Sequence, residues 1–330
     1  MPEIYKSVFQ EEIAIHIEVR KEELGCEAFR HYKRTIKLFD DYLWQINHNK
    51  KEVSQDIIDE WIKKTSKGIS ANTISQHVHH IRQLLKFLTD CGYPCFIPKT
   101  VITKDIYVPH LYSDEELRKI FTIADYLMAP CATKNVYIEQ EMPMLLRLLL
   151  CCGLRVGEAL NIKVGDIDFQ RNLIVLRVTK KNKQRLVPYE ENLADIIYRY
   201  CVAMGILTNP DSYLFPTIDK DIPVSANSIR NYFKVILKNA EIHVEKSKEY
   251  ERGLCVHCFR HTFAVRSFDK NERNGIRAYE SVPFLSTYLG HDSLYETEKY
   301  LKYSGTYFED TLTKFESYAE GLFPEVIFNE

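Results

Sequence analysis

Along the first hundred residues, apolar side chains recur at three- and four-residue steps. Phe29, Tyr32, Ile36, Phe39 and Leu43 make one face of an amphipathic helix, and Ile57, Trp61 and Ile62 mark a second. A third opens near Ser70, carries Ile74, Val78, Ile81, Leu85 and Leu88, and stops at Gly92 with Pro94 and Pro98 beyond. This pattern predicts a small helical bundle. A β-branched stretch between Pro98 and Pro109 then reads as an extended linker, and the chain divides into residues 1–105 and 106–330.

The second part starts on a capping signature, Ser113 with Glu116 three residues on, ahead of Leu117 and Phe121. The stretch from Met128 to Pro143 is irregular and reads as an inserted loop. Met144 to Cys152 is apolar enough for a buried helix ended by Gly153. Leu173 to Val178 and Arg185 to Pro188 flank a polar turn of lysines and form a β-hairpin. Helices are expected over Leu193–Cys201, Ser228–Leu237 and His261–Phe268. Asp269 to Glu280 reads as a polar insertion, and the tail from Phe308 to Leu322 as an amphipathic helix. The fold class is therefore mainly α with a small β-sheet, an α+β chain in two domains.

Composition narrows the class. The 330 residues are 45% hydrophobic and 27% charged, an ordinary globular balance rather than a disordered one. No apolar run approaches the roughly 20 residues that span a bilayer, so no membrane partner is expected. The nine cysteines are scattered and odd in number, which points to reduced thiols in the cytoplasm rather than a disulfide framework. The net charge of −2 argues against a nucleic-acid partner when taken as a sum. Its distribution argues the other way: from Trp61 to Lys99 the charges are basic except for Asp90, and Lys180, Lys181, Lys183 and Arg185 form a second cluster.

Six polar residues stand out against apolar surroundings. Arg155 lies in CGLRVGEAL, Lys180 at the hairpin tip, His257 and Arg260 in HCFRH, His291 in YLGHDSL, and Tyr300 nine residues further on. Each alone has an ordinary structural explanation. Arg155 could pair with Glu158 at a helix start, Lys180 could be a solvated turn residue, and Tyr300 is one of 21 tyrosines. Cys255 and Cys258 flank His257 in a C-x-x-C, but no further pair of ligands at zinc spacing accompanies them, so no metal is expected.

In order and spacing, the set G-L-R-V-G-E-A-L, a lysine hairpin ending in R-L-V-P, H-x-x-R-H-T-F-A, L-G-H and a tyrosine nine residues later resembles the tyrosine recombinase (phage integrase) family. The resemblance covers roughly residues 110–305, and more loosely the N-terminal bundle, which is similar to the family's core-binding domain. It implies a C-shaped clamp on double-stranded DNA and a strand transfer through a 3′-phosphotyrosyl link, with no cofactor. Tyr300 would be the nucleophile. Two guanidiniums, Arg155 and Arg260, would hold the non-bridging phosphate oxygens, since their forked donors match phosphate geometry. Lys180 would protonate the leaving oxygen, His257 would accept or pass the nucleophile's proton, and His291 would hydrogen-bond the phosphate. The hairpin reads T-K-K-N-K, which leaves Lys181 and Lys183 as alternatives to Lys180, and Tyr303 is the alternative nucleophile.

The resemblance further implies a homo-tetramer on DNA, because recombining two sites takes four strand cuts, and leaves room for accessory DNA-bending proteins. Long insertions point to a mobile element. Ser70, Asn72, Thr73, Arg82 and Lys86 in the first domain, and Asn227 and Arg230 in the second, are candidate DNA-facing groups. Two other functions share the surface chemistry: a type IB topoisomerase-like enzyme, and a DNA-binding regulator that keeps the fold without cutting.

Overall fold

The computed structural model describes residues 5–100, 108–126, 137–179, 184–218, 221–243 and 253–303. These fall into two compact units, residues 5–100 and those from Val108 onward. Lys180 and the other hairpin-tip lysines, most of the expected linker, and the tail from Phe308 to Leu322 lie outside the described residues.

The first unit contains α1 (Gln10–Glu23), α2 (Cys26–Gln45), α3 (Gln55–Thr65) and α4 (Ala71–Asp90). Three of these carry the predicted periodicity. The apolar face of α2 meets Leu84, Leu85 and Leu88 of α4 and Trp61 of α3 in one core. Ser70 caps α4 by accepting a hydrogen bond from the Thr73 backbone N–H at 3.2 Å. Gly92 closes the helix with φ at 91°, a conformation that favours a residue without Cβ.

Helix α1 was not expected from the sequence. Its apolar residues Ile13, Ile15, Ile17 and Val19 alternate, a spacing that gives no helical face. It folds as a helix nevertheless, because Ile13 and Ile17, one turn apart, both reach the core while Ile15 and Val19 stay exposed.

The second unit is built from α5 (Asp114–Tyr126), α6 (Ile138–Cys152), α7 (Val156–Leu160), α8 (Glu191–Ala203), α9 (Ala226–Asn239), α10 (Cys258–Arg273), α11 (Ala278–Leu289) and α12 (Leu294–Glu298). A three-stranded antiparallel sheet, β1 (Ile167–Asp168), β2 (Leu173–Leu176) and β3 (Arg185–Pro188), runs in the order β1-β2-β3. The hairpin pairs Leu176 with Arg185 and Leu173 with Pro188. The capping box at α5 forms in both directions, Glu116 N–H to Ser113 Oγ and Ser113 N–H to the Glu116 carboxylate, at 3.2 and 2.8 Å.

One expectation needs correction. Helix α6 begins at Ile138 and runs through Pro143, so residues 138–143 are helix rather than loop. Burial of Ile138, Met142 and Met144 offsets the backbone hydrogen bond that proline cannot make. Residues 269–280, the expected polar insertion, are largely helical. Asp269–Arg273 extend α10, Gly275 turns the chain with φ at 81°, and α11 has begun by Ala278.

Candidate active site

Four chain segments of the second unit converge. The first is the junction between α6 and α7. Gly153 ends α6 in the left-handed region with φ at 59°, and a Cβ there would collide with the Phe263 ring. The turn delivers Arg155 to the cap position of α7. The second segment is β3 with Arg185, the third is α10 with Arg260 and His261 and with His257 at its cap, and the fourth runs from the end of α11 to Tyr303.

Glu158 organises the arginines. Its Oε2 accepts from the Arg155 backbone N–H at 2.9 Å, and its Oε1 from Arg155 Nη1 at 2.9 Å. Arg185 grips both carboxylate oxygens, at 2.9 and 2.8 Å, and donates from Nε to the Tyr288 carbonyl at 2.9 Å. Burial works against the carboxylate charge, but the hydrogen bonds from Arg185 and from the Arg155 backbone prevail and hold the carboxyl down at about 2. The pairing with Glu158 that could have explained Arg155 by itself is therefore real. It leaves the Arg155 side chain partly exposed, at 26%, so the pairing does not bury the guanidinium away from a ligand.

Arg260 is buried. It donates to the carbonyls of Gly153 and Leu289 at 2.7 and 2.8 Å and to His291 Nε2 at 2.9 Å. Burial, with Arg155 nearby, lowers it to about 10, which leaves it a cation at neutral pH. Because a guanidinium only donates, His291 Nε2 must accept, and its proton sits on Nδ1, which donates to Thr297 Oγ1 at 2.6 Å. Burial and the charges of Arg260, Arg155 and Arg185 push His291 down to about 3, so it is neutral. Gly290 turns the chain just before it. With φ at 65° and Arg185 Nη1 only 2.8 Å from where a Cβ would stand, no other residue fits there without displacement.

Tyr300 packs into this cluster, 7% exposed. Its ring lies nearly parallel to that of His291, at 22° and 6.2 Å between centroids. Burial raises its phenol above the ordinary value, while the charges of Arg260 and Arg155 and a hydrogen bond from Arg260 pull the other way. The phenol oxygen is 2.9 Å from His261 Nδ1. His257, the expected proton acceptor, stands one turn earlier at the cap of α10, its ring 4.7 Å from that of His261. Tyr303, the alternative nucleophile, is half-buried in a 3₁₀ turn one step beyond.

The structure thus gathers Arg155, His257, Arg260, His291 and Tyr300, and adds four residues not singled out from sequence: Glu158, Arg185, His261 and Thr297. Three of these sat inside the quoted motifs. The candidate DNA-facing groups are described within their own units. Ser70 and Thr73 are engaged with each other at 2.9 Å. Asn72 and Lys86 are exposed on α4, within about 40° of each other around its axis; Arg82 is half-buried. Asn227 and Arg230 are exposed on the first turns of α9. Cys255 and Cys258 lie 3.6 Å apart, sulfur to sulfur. Among the described residues no three His, Cys, Asp or Glu side chains gather as metal ligands, and no helix is long and apolar enough to cross a membrane.

Residues 112–305 match the phage integrase family. The y4rB integrase/recombinase of Sinorhizobium fredii is 28% identical over 223 residues, 63% of this chain and 66% of that protein. A tyrosine recombinase of Pseudothermotoga lettingae is 26% identical over 276 residues, 82% of this chain and 85% of its own length. In fold, the chain is similar to the crystal structure of the XerH site-specific recombinase in a post-cleavage complex with palindromic difH substrate, at a TM-score of 0.65 and 17% identity, covering 94% of this chain and 85% of that one. This chain belongs to the phage integrase family, that of the tyrosine recombinases, and it is by class a recombinase enzyme.

Proposed function

We propose that the protein cuts and rejoins double-stranded DNA through a covalent 3′-phosphotyrosyl link to Tyr300. The observation that carries this reading is the placement of a buried phenol among guanidiniums that a single carboxylate, Glu158, holds in position. Attack of a phenol on phosphorus needs positive charge to meet the charge that builds on the non-bridging oxygens. Arg155 and Arg260 supply it, and His291, neutral and fixed in one tautomer, orients Arg260 by accepting from its guanidinium. Donors of this kind contribute about 3–4 kcal/mol each to a transition state. Lys180 protonates the leaving 5′ oxygen. Because the phosphotyrosyl link conserves the energy of the broken bond, rejoining needs no ATP, and guanidiniums do the work for which other phosphoryl-transfer enzymes use metal ions.

The working form is a tetramer on two DNA sites, since exchange of both duplexes takes four cuts, and the reaction suits integration or excision of a mobile element. Asn72 and Lys86 on α4, and Asn227 and Arg230 on α9, contribute phosphate contacts.

The test is covalent trapping. A nicked duplex, enriched from a randomised pool by binding to the full chain, loses the short strand that would reverse the reaction. The wild-type protein is expected to give an SDS-stable adduct, and Tyr300→Phe none. An adduct that persists in Tyr300→Phe transfers the role to Tyr303. No wild-type adduct, with binding intact, leaves a DNA-binding regulator. Relaxation of supercoiled DNA lacking the selected site would indicate a topoisomerase-like activity.

A further inference from the structure

His261, in the first turn of α10, is hydrogen-bonded to the Tyr300 phenol. We infer that His261 is a catalytic residue, the group that takes the phenolic proton of Tyr300 as its oxygen attacks phosphorus. The inference rests on the reading of Tyr300 as the nucleophile.

The geometry is direct. His261 Nδ1 lies 2.9 Å from the Tyr300 oxygen, within the reach a general base needs before any substrate-driven tightening. The two rings are inclined at 49°, with centroids 5.5 Å apart. The phenol carries its proton in the resting protein, because burial disfavours the phenolate. Arg260 can only donate, so where it meets the phenol the oxygen accepts, and the phenolic hydrogen is left for His261. With the phenol donating, Nδ1 accepts and Nε2 carries the proton of His261. His257 faces the His261 ring edge-to-face at 81°, a packing that holds the ring in place. His291 covers the phenol ring itself. The charged and titratable groups around the bond are Arg155, Arg260 and Glu296, which act on the phenol, with His257 at the cap of α10 and His291 from the last described segment.

The step balances without a further reactant. The Tyr300 O–H bond breaks and its proton moves to His261 Nδ1, giving an imidazolium. The phenol oxygen bonds to phosphorus, the bond from phosphorus to the 5′ oxygen breaks, and that oxygen is protonated by the lysine acid. In rejoining, the imidazolium returns the proton to the departing phenol.

Single-turnover adduct formation on the nicked duplex separates this role from a structural one. For the wild type, the rate is expected to rise with pH through the imidazole range and then level off. His261→Asn places an amide near the Nδ1 position, where it accepts a hydrogen bond but no proton. Its rate should fall about 100-fold or more, lose the acid-side rise, and leave DNA binding unchanged. Fluorination of Tyr300, which makes the phenol more acidic, should then restore several-fold of the lost rate in His261→Asn and gain little beside the native histidine. His257→Asn should keep the acid-side rise. Wild-type rate and pH dependence in His261→Asn would overturn the assignment. So would a loss that keeps the wild-type pH profile and gains nothing from fluorination, because that pattern marks a positioning residue. Failure of the Tyr300 reading is distinguished by the wild-type reaction itself, which would then yield no adduct at that residue, and the inference would fall with it.

Discussion

Histidines of the two units share one property and differ in another. In the helical unit, His16 donates or accepts at the Tyr32 hydroxyl at 2.6 Å, and His80 meets Thr35 Oγ1 at 3.0 Å. Burial pushes each down to about 4, with Arg20 adding to it for His16 and His79 for His80. In the recombinase unit, burial pushes His291 down to about 3. By the size of the shift the three look alike. The partners separate them: His16 and His80 bond to hydroxyls within a helical core, whereas His291 bonds to Arg260 as well as to the Thr297 hydroxyl, among three arginines, and lies against the Tyr300 ring. A perturbed histidine is thus weak evidence for function, and the charge and nucleophile beside it decide.

The comparison can be broken first at Glu158. Glu158→Ala removes the buried anion that Arg155 and Arg185 share and leaves the two partly buried cations to repel one another. The second unit should lose about 3–5 kcal/mol in denaturant unfolding, and adduct formation should vanish. Next come the histidines themselves. His291→Gln should slow adduct formation by about 100-fold with little change in unfolding, and His16→Gln should leave adduct formation at the wild-type rate.

A third test uses pH. The folded-state values of His16 and His80 lie below the ordinary 6.5, so between about 6.5 and 4 the unfolded chain binds more protons than the folded one. Stability of the helical unit should therefore fall as pH drops through that window and be fully present above it. Both tryptophans, Trp44 and Trp61, belong to that unit, so their fluorescence reports its unfolding alone. His16→Phe should flatten the dependence. The smallest effect is expected at Lys86→Ala, which should reduce the salt slope of DNA binding by about 1 and leave sequence preference intact.

Most of the helical architecture was legible in the sequence, because α2, α3 and α4 carry their core contacts at helical spacing. Helix α1 was not, since its alternating isoleucines give no face until the core selects Ile13 and Ile17. The proline at position 143 suggested a loop where packing of α6 outweighs a lost hydrogen bond. For the site, motif order singled out Arg155, His257, Arg260, His291 and Tyr300. It did not single out Glu158, Arg185 or His261, because their importance lies in contacts across the chain. Arg185 meets Glu158 from 27 residues away, and His261 meets Tyr300 from 39. A charged residue within a motif can face a phosphate or brace another side chain, and only the folded geometry separates the two.

In the proposed reaction the Tyr300 phenol becomes covalently joined to DNA. The most direct test is to trap the adduct, digest the DNA and the protein, and sequence the modified peptide by mass spectrometry. The account predicts a nucleotide remnant on Tyr300, attached through a 3′-phosphate. A remnant on Tyr303, on a serine, or on a 5′-phosphate would contradict it.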